Sequence, residues 1–251
     1  MLEILIYNCC QISNKFLMTA QQKKINAAKL AIKKIKPGMN LGLGTGSTAN
    51  ELIHLLGKDK NLAESLKCVS SSIQTEEIAK DYSIKFQQLD EFEFLDITID
   101  GADEIDDDGN MIKGGGGALL REKMLANMSK EYFIIIDESK KVNTLGKFPL
   151  PIEIIPFSPK STISLISKVF EEYQMTPEII LRLDSGGLNF ITDGGNFIID
   201  CYCKKILLTD QINVKIEKIP SVITTGLFLN MSSSMIIGYD EYATEINFNK
   251  K

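Results

Sequence analysis

The chain has 251 residues, 44% hydrophobic and 24% charged, ordinary values for a globular protein with one large or two small domains. A formal net charge of −5 argues against a general nucleic-acid-binding or membrane-surface role, so an anionic ligand would have to be held by local donors. A single histidine (His54) excludes histidine-rich zinc sites, and five scattered cysteines (Cys9, Cys10, Cys68, Cys201, Cys203) without CxxC spacing fit free thiols in a reducing compartment.

Residues 1–17 start apolar (Leu2, Ile4, Leu5, Ile6, Tyr7), but the run is too short to span a bilayer and lacks the basic start and cleavage site of a secretory signal. They read as an extension, or as the product of a mis-chosen start codon ahead of Met18. Thr19–Lys36 has the period of an amphipathic helix, with Ile25, Ala28, Ile32 and Ile35 on one face and Pro37-Gly38 as its stop. A strand (Met39–Leu43), a loop (Gly44–Thr48) and a helix (Thr48–Leu56) follow, the last carrying His54 in a structural role. Then come a strand over Lys67–Ser71, a helix over Ile73–Tyr82 and strands over Ile84–Leu89 and Leu95–Asp100. A helix over Ala118–Met128 leads into the nearly continuous apolar strand Tyr132–Asp137. Strands alternating with helices predict a mainly parallel sheet covered on both faces, with ligands bound beyond the carboxyl ends of the strands.

Prolines 149, 151, 156 and 159 mark a change of rhythm. Beyond them lie a strand (Ile152–Ile155), a helix (Ser161–Gln174) and a strand (Glu178–Leu183). Phe190–Thr192 and Asn196–Asp200 flank Asp193-Gly194-Gly195 as a hairpin, before a helix over Asp210–Lys218 and a strand over Ser221–Leu227. Met235–Ile246 is expected to return to the first unit. The fold expectation is therefore α/β: a Rossmann-like unit of residues 18–148 and 228–251, with a smaller α+β unit of split βαβ, ferredoxin-like type over residues 149–227.

Three segments carry chemistry. Lys113 is followed by four glycines, Gly114–Gly117, and then by a helix bearing Glu122. Bare backbone amides there can approach an anion or a developing oxyanion, with a cation before them and an acid after. Glu122 lies about 200° around the helix from Leu120 and from Met124, at ~100° per residue, so it faces away from them, toward a cleft or toward solvent. Gly42-Leu43-Gly44-Thr45-Gly46-Ser47-Thr48, between strand and helix, forms an anion cradle suited to phosphate or sugar, or simply a helix-capping turn. It departs from the dinucleotide and nucleotide-hydrolase fingerprints. Asp100-Gly101-Ala102-Asp103-Glu104 sets acids three residues apart at a strand end, able to converge on a metal or on sugar hydroxyls. Asp106-Asp107-Asp108 reads as a solvated acidic turn.

Together these segments resemble the A-type ribose-5-phosphate isomerases, a resemblance running from about Gln21 to Gly238. Its marks are Gly44–Thr48, Asp100–Glu104, Lys113–Gly117 with Arg121-Glu122-Lys123, and Ser139-Lys140 with Leu145–Pro149; Thr224-x-Gly226-Leu227-Phe228 adds weaker support. The resemblance implies interconversion of ribose 5-phosphate and ribulose 5-phosphate in the non-oxidative pentose phosphate branch. It implies Glu122 as the proton-shuttling base, Asp100 and Asp103 (with Gly101 and Ala102) at the sugar hydroxyls and ring opening, and Lys113 with Gly114, Gly115 and Gly116 at the oxyanion. Thr45, Gly46, Ser47 and Thr48 would line the sugar site, and Lys23 and Lys140 would hold the phosphate. It further implies no metal or organic cofactor, a cytoplasmic location, a homodimer or alternatively a homotetramer, and no nucleic-acid or membrane partner. Two rivals are another aldose–ketose or amino-sugar isomerase and a sugar-sensing regulatory domain without turnover.

Overall fold

Burial on both faces explains why the central strands read as continuous apolar runs. The computed structural model describes residues 20–248, so the extension 1–17 lies outside the described residues. A helix over residues 20–31 (α1) leads through a 3-10 turn, Ile32–Lys34, to β1 (Asn40–Leu43). Then come α2 (Ser47–Lys58), α3 (Lys60–Ser65), β2 (Lys67–Ser70), α4 (Ile73–Ala79), β3 (Leu95–Asp100), β4 (Glu104–Ile105) and β5 (Met111–Ile112). They are followed by α5 (Leu119–Met128) and β6 (Ser129–Asp137). Two C-terminal strands, β12 (Ser234–Gly238) and β13 (Ala243–Asn247), complete a six-stranded sheet in the order β13-β12-β6-β3-β1-β2, parallel except for the β12–β13 edge pair.

Alternation along β6 divides the core. Phe133 and Ile135 pack with Leu41, Leu43, Ile97, Ile99, Leu52 and Leu56 on the α1–α2 side. Tyr132, Ile134 and Ile136 pack with Met235, Ile237, Leu119 and Phe228 on the other. Because β1, β3 and β6 run parallel and in register, their carboxyl ends at Leu43, Asp100 and Asp137 present three loops along one rim.

The smaller unit runs β7 (Leu150–Ile154), α6 (Pro159–Glu172), β8 (Glu178–Leu181), β9 (Phe197–Tyr202), α7 (Thr209–Glu217) and β10 (Val222–Thr225). Its sheet, ordered β10-β7-β9-β8 and antiparallel throughout, is the split βαβ arrangement. Ile152, Ile154, Ile199, Cys201, Phe170, Ile166, Ile212 and Ile216 fill its core, and Cys203 packs against it, so the Cys201-x-Cys203 pair is packing. At Gly226 the chain leaves that sheet for β11 (Leu227–Phe228), which pairs with β5 in a three-stranded sheet β11-β5-β4 joining the units. No helix among the described residues is long and apolar enough to cross a membrane.

Several local expectations change. The strand expected over Ile84–Leu89 reduces to one bridge, Phe86 to Cys68, with the Gln87 amide donating to the Cys68 carbonyl, because Lys85 and Gln88 are exposed at the sheet edge and only Ile84 is buried. The Asp193 turn forms, with the Gly195 amide donating to the Thr192 carbonyl, but Phe190–Thr192 is not a strand; β9 pairs instead with β8. The strand expected over Ser221–Leu227 splits where the Gly226 amide donates to the Pro151 carbonyl and its own carbonyl accepts from the Lys113 amide, fixing β10 to the site loop. His54 is structural: its Nδ1 lies 2.7 Å from the Tyr82 hydroxyl.

Candidate active site

The Asp100 carboxylate ends β3 with no exposed surface, so it needs partners, and four donors supply them. Oδ1 accepts from the amides of Thr45 (3.0 Å) and Gly101 (2.7 Å), Oδ2 from the Tyr132 hydroxyl (2.9 Å), and the Lys113 Nζ stands 3.0 Å from Oδ2. With every face of this carboxylate turned to an N–H or O–H donor, Asp100 is built to hold donors, not a metal. The approach of the Thr45 loop is close: a Cβ on Gly44 would collide with the Asp100 carboxylate.

Lys113 is 2% exposed and Glu122 4%. The Lys113 ammonium lies 3.1 Å from Glu122 Oε1 and also donates to the Gly101 carbonyl. Burial pulls the ammonium down, but Asp100 and Glu122 outweigh it and raise Lys113 to about 12. It stays charged. Burial raises Glu122 to about 8; Lys113 opposes this, and the nearby Asp100 charge adds to it. Although Glu122 touches an ammonium, burial dominates, because the side chain has lost its water while one ammonium is shared between two carboxylates. Its second oxygen, Oε2, has no hydrogen-bond partner, and Glu122 lines the cavity. A cavity-lining carboxyl raised to about 8, with one oxygen free of partners, suits a general base.

The buried face of α5 is Leu119, Glu122, Leu125 and Ala126, whereas Leu120 is half-buried and Met124 exposed. The stripe read from Leu120 and Met124 is thus not the packing face, and Glu122 points inward, not toward solvent. Before it, Gly114–Gly117 form a turn closed by the Gly117 amide on the Gly114 carbonyl, with φ +103 at Gly114 and +84 at Gly117. L side chains rarely adopt those angles, hence the glycines. Asp103 Oδ2 accepts from the Gly115 amide at 2.7 Å.

The cavity, about 100 Å³, is lined by Thr45, Gly46, Ser47, Thr48, Gly101, Ala102, Asp103, Lys113, Gly114, Gly115, Gly116, Glu122 and Lys140. All three sequence segments therefore converge on one wall-to-wall site, with Ser47 and Thr48 at the start of the twelve-residue α2, where amides and the helix dipole favour an anion. Lys140 reaches it from the 3-10 turn Glu138–Lys140 after β6. Lys23 does not line the cavity: Glu138 (2.7 Å) and Asp240 (3.6 Å) hold its ammonium, because α1 packs on the end of β12. Glu104 also belongs elsewhere, accepting from the amides of Gly146 (2.7 Å) and Phe148 (2.6 Å) and so fixing the Leu145–Pro149 segment. Asp106 likewise closes its own turn, accepting from the Asp108 and Asn110 amides. Sequence reading missed Tyr132, whose hydroxyl needed a buried partner once it sat in the central strand. It also missed Arg182, one of two arginines in the chain, which bonds the glycine loop from the smaller unit. No cluster of three or more potential metal-ligating side chains occurs among the described residues.

A Rossmann-like α/β body whose strand ends gather a shared ammonium, a raised carboxylate and an amide-rich turn defines the class of enzymes that move protons on small anionic substrates. Comparison with known proteins narrows this class. The family model of ribose 5-phosphate isomerase A (phosphoriboisomerase A) matches residues 67–242. The chain is 42% identical to ribose-5-phosphate isomerase A of Parvibaculum lavamentivorans over 89% of its own length and 97% of that protein's. Against that of Rhizobium meliloti it is 42% identical over 90% and 97%. Among solved structures, a D-ribose-5-phosphate isomerase in complex with phospho-erythronic acid superposes with TM-score 0.83 at 35% identity, covering 90% of this chain and 97% of that one. The Plasmodium falciparum ribose 5-phosphate isomerase gives 0.82 at 35%, with the same coverage. The chain belongs to the ribose-5-phosphate isomerase A family, enzymes that interconvert ribose 5-phosphate and ribulose 5-phosphate. The sensor and alternative-isomerase readings give way to it.

Proposed function

We propose that Glu122 carries the proton between C2 and C1 of the open-chain sugar phosphate, and the observation carrying this is that Glu122 lines the cavity while its Oε2 has no hydrogen-bond partner. Asp103 takes part in ring opening, moving the proton of the C1 hydroxyl toward the ring oxygen, while Asp100 holds Lys113 and the Thr45 loop in place. Glu122 then removes the C2 proton of the aldose. The electron pair moves into a C1–C2 enediolate, whose oxyanion meets the Lys113 ammonium and the amides of Gly114 and Gly116, the Gly115 amide being held by Asp103. Return of the proton to C1 gives the ketose, and the hydroxyl proton moves from O2 to O1. The phosphate binds at the Ser47–Thr48 end of α2 and at Lys140, and Lys23 braces the Glu138–Lys140 turn from behind. Phospho-erythronic acid, bound by the solved relative, fits this reading, since its carboxylate stands for the enediolate oxygens.

We place the catalytic unit at residues 18–148 and 228–251 and the smaller unit at 149–227, in a cytoplasmic homodimer (a homotetramer being the alternative) of the non-oxidative pentose phosphate branch. Exposed Leu183, Leu188 and Ile191 on the smaller unit suit a subunit contact; light scattering tests it. The decisive experiment is Glu122→Gln, followed by solvent-deuterium incorporation, turnover and phospho-erythronate titration. The amide keeps the shape but cannot accept a proton, so turnover should fall by about 10⁴, the upper end for loss of a general base, with binding retained. Exchange at the wild-type rate would move the base to Asp103.

A further inference from the structure

Arg182 follows β8 in the smaller unit and does not line the cavity, yet its guanidinium is fully engaged next to it. Nε and Nη2 grip the Asp200 carboxylate at 2.7 and 2.5 Å, and Nη1 donates to the carbonyls of Gly114 (2.9 Å) and Gly115 (3.1 Å). Only a planar fork with donors on three nitrogens can hold a carboxylate and two carbonyls at once. Asp200 locks the fork, and the fork locks the loop.

A planar trans peptide sends its N–H opposite its C=O. With the Gly115 carbonyl tied to Arg182, the Gly116 N–H on the same peptide must face the other way. Gly116 lines the cavity, and its N–H has no acceptor among the described residues. The neighbouring peptide is fixed similarly: the Gly114 carbonyl accepts from Arg182, and the Gly115 N–H is used by Asp103. Of the two central peptides of this turn, one therefore braces Asp103 and the other leaves a donor open. Four glycines in a row have no side chains to resist a peptide flip, so this orientation depends on outside bonds.

We propose that Arg182 is a positioning residue of the oxyanion site, acting across the unit boundary by holding the Gly115–Gly116 peptide so that its N–H meets the forming enediolate oxygen. This rests on the isomerase reading above. A competing explanation is that Arg182 only docks the smaller unit. Asp193 gives the control, because it joins the same two units without touching the glycine loop: Oδ2 accepts from the Ile73 amide at 2.9 Å and lies 3.5 Å from Arg121.

The test compares Arg182→Met, Arg182→Lys and Asp193→Ala with the wild type in kcat, KM for ribose 5-phosphate, Kd for phospho-erythronate and melting temperature. Arg182→Met should lose about 10²-fold in kcat, the cost of a lost or misplaced oxyanion donor, and a comparable factor in phospho-erythronate affinity, while KM changes little. Arg182→Lys, with one donor able to reach one carbonyl, should recover part of that loss; it also carries the test if the Met variant fails to fold. Asp193→Ala should keep kcat near the wild-type value. Wild-type kcat in Arg182→Lys and Arg182→Met, or an equal loss in Asp193→Ala, overturns the proposal. Failure of the isomerase reading would show differently, as activity retained in Glu122→Gln whatever Arg182 does.

Discussion

Replacing Asp100 by Asn should shift the pH profile of isomerisation toward acid by about two units. The side chain keeps its shape, and its remaining oxygen can still accept from the Thr45 and Gly101 amides. The new amide nitrogen faces the Tyr132 hydroxyl, which can turn to accept, and the Lys113 ammonium, which must turn its N–H toward Glu122 and the Gly101 carbonyl. What disappears is the negative charge. Asp100 and Glu122 each lie within 3.1 Å of the same ammonium, so the two carboxylates stand no more than ~6 Å apart. At an effective dielectric of about 20 the repulsion across that gap is ~2.8 kcal/mol, or about two pH units. Removing it also leaves Lys113 to Glu122 alone, which acts in the same direction. In the wild type, Glu122 must be ionised to act as base, so kcat/KM should rise with pH toward about 8. In Asp100→Asn the midpoint should fall to about 6. The substrate phosphate ionises near pH 6 in both proteins, so the difference between profiles is the readout. The assay is ribulose 5-phosphate formation from pH 5 to 9.5, with the melting temperature as a folding control. A midpoint that stays put or rises would refute the shared-ammonium account.

Glu122→Gln should melt higher than wild type above pH 8: the native carboxyl holds its proton between its ordinary value of 4.5 and about 8 while the unfolded one releases it, so wild-type stability drains away across that window and the amide's does not. Thermal scans at pH 5 and 9 check the sign, equal gains at both being the contrary result. Lys113→Met should lower kcat by about 10²–10³ with little change in KM, whereas Lys140→Ala should mainly raise KM; the reverse pattern would swap the oxyanion and phosphate assignments. Gly44→Ala should cut activity sharply, since its Cβ collides with the Asp100 carboxylate, and a crystal structure or kinetics showing an undisturbed site would contradict that packing.

The chemistry of the site was legible in the sequence because it sits at strand ends. Glycine runs, a lysine before them and acids closing a strand are local signals, and a parallel sheet brings such loops to one rim whatever the side chains between them do. The alternation that predicted the two sheets is equally local, since the pleat and the helical turn repeat over a few residues. Burial and distance are not local, and they decided the rest. Whether Glu122 faced a cleft or solvent depended on which side of α5 met β3 and β6, and only that packing strips its water and raises it to about 8. Lys23 looked like an anion ligand until the packing of α1 on β12 delivered it to Glu138 and Asp240. Arg182 reaches Gly114 across 68 residues and from another sheet, a bond that no spacing along the chain encodes. The sequence by itself therefore determined which groups could do proton chemistry on an anion. The tertiary structure decided their charge states and partners, because desolvation and Coulomb interactions are set by what the fold packs around each group in space.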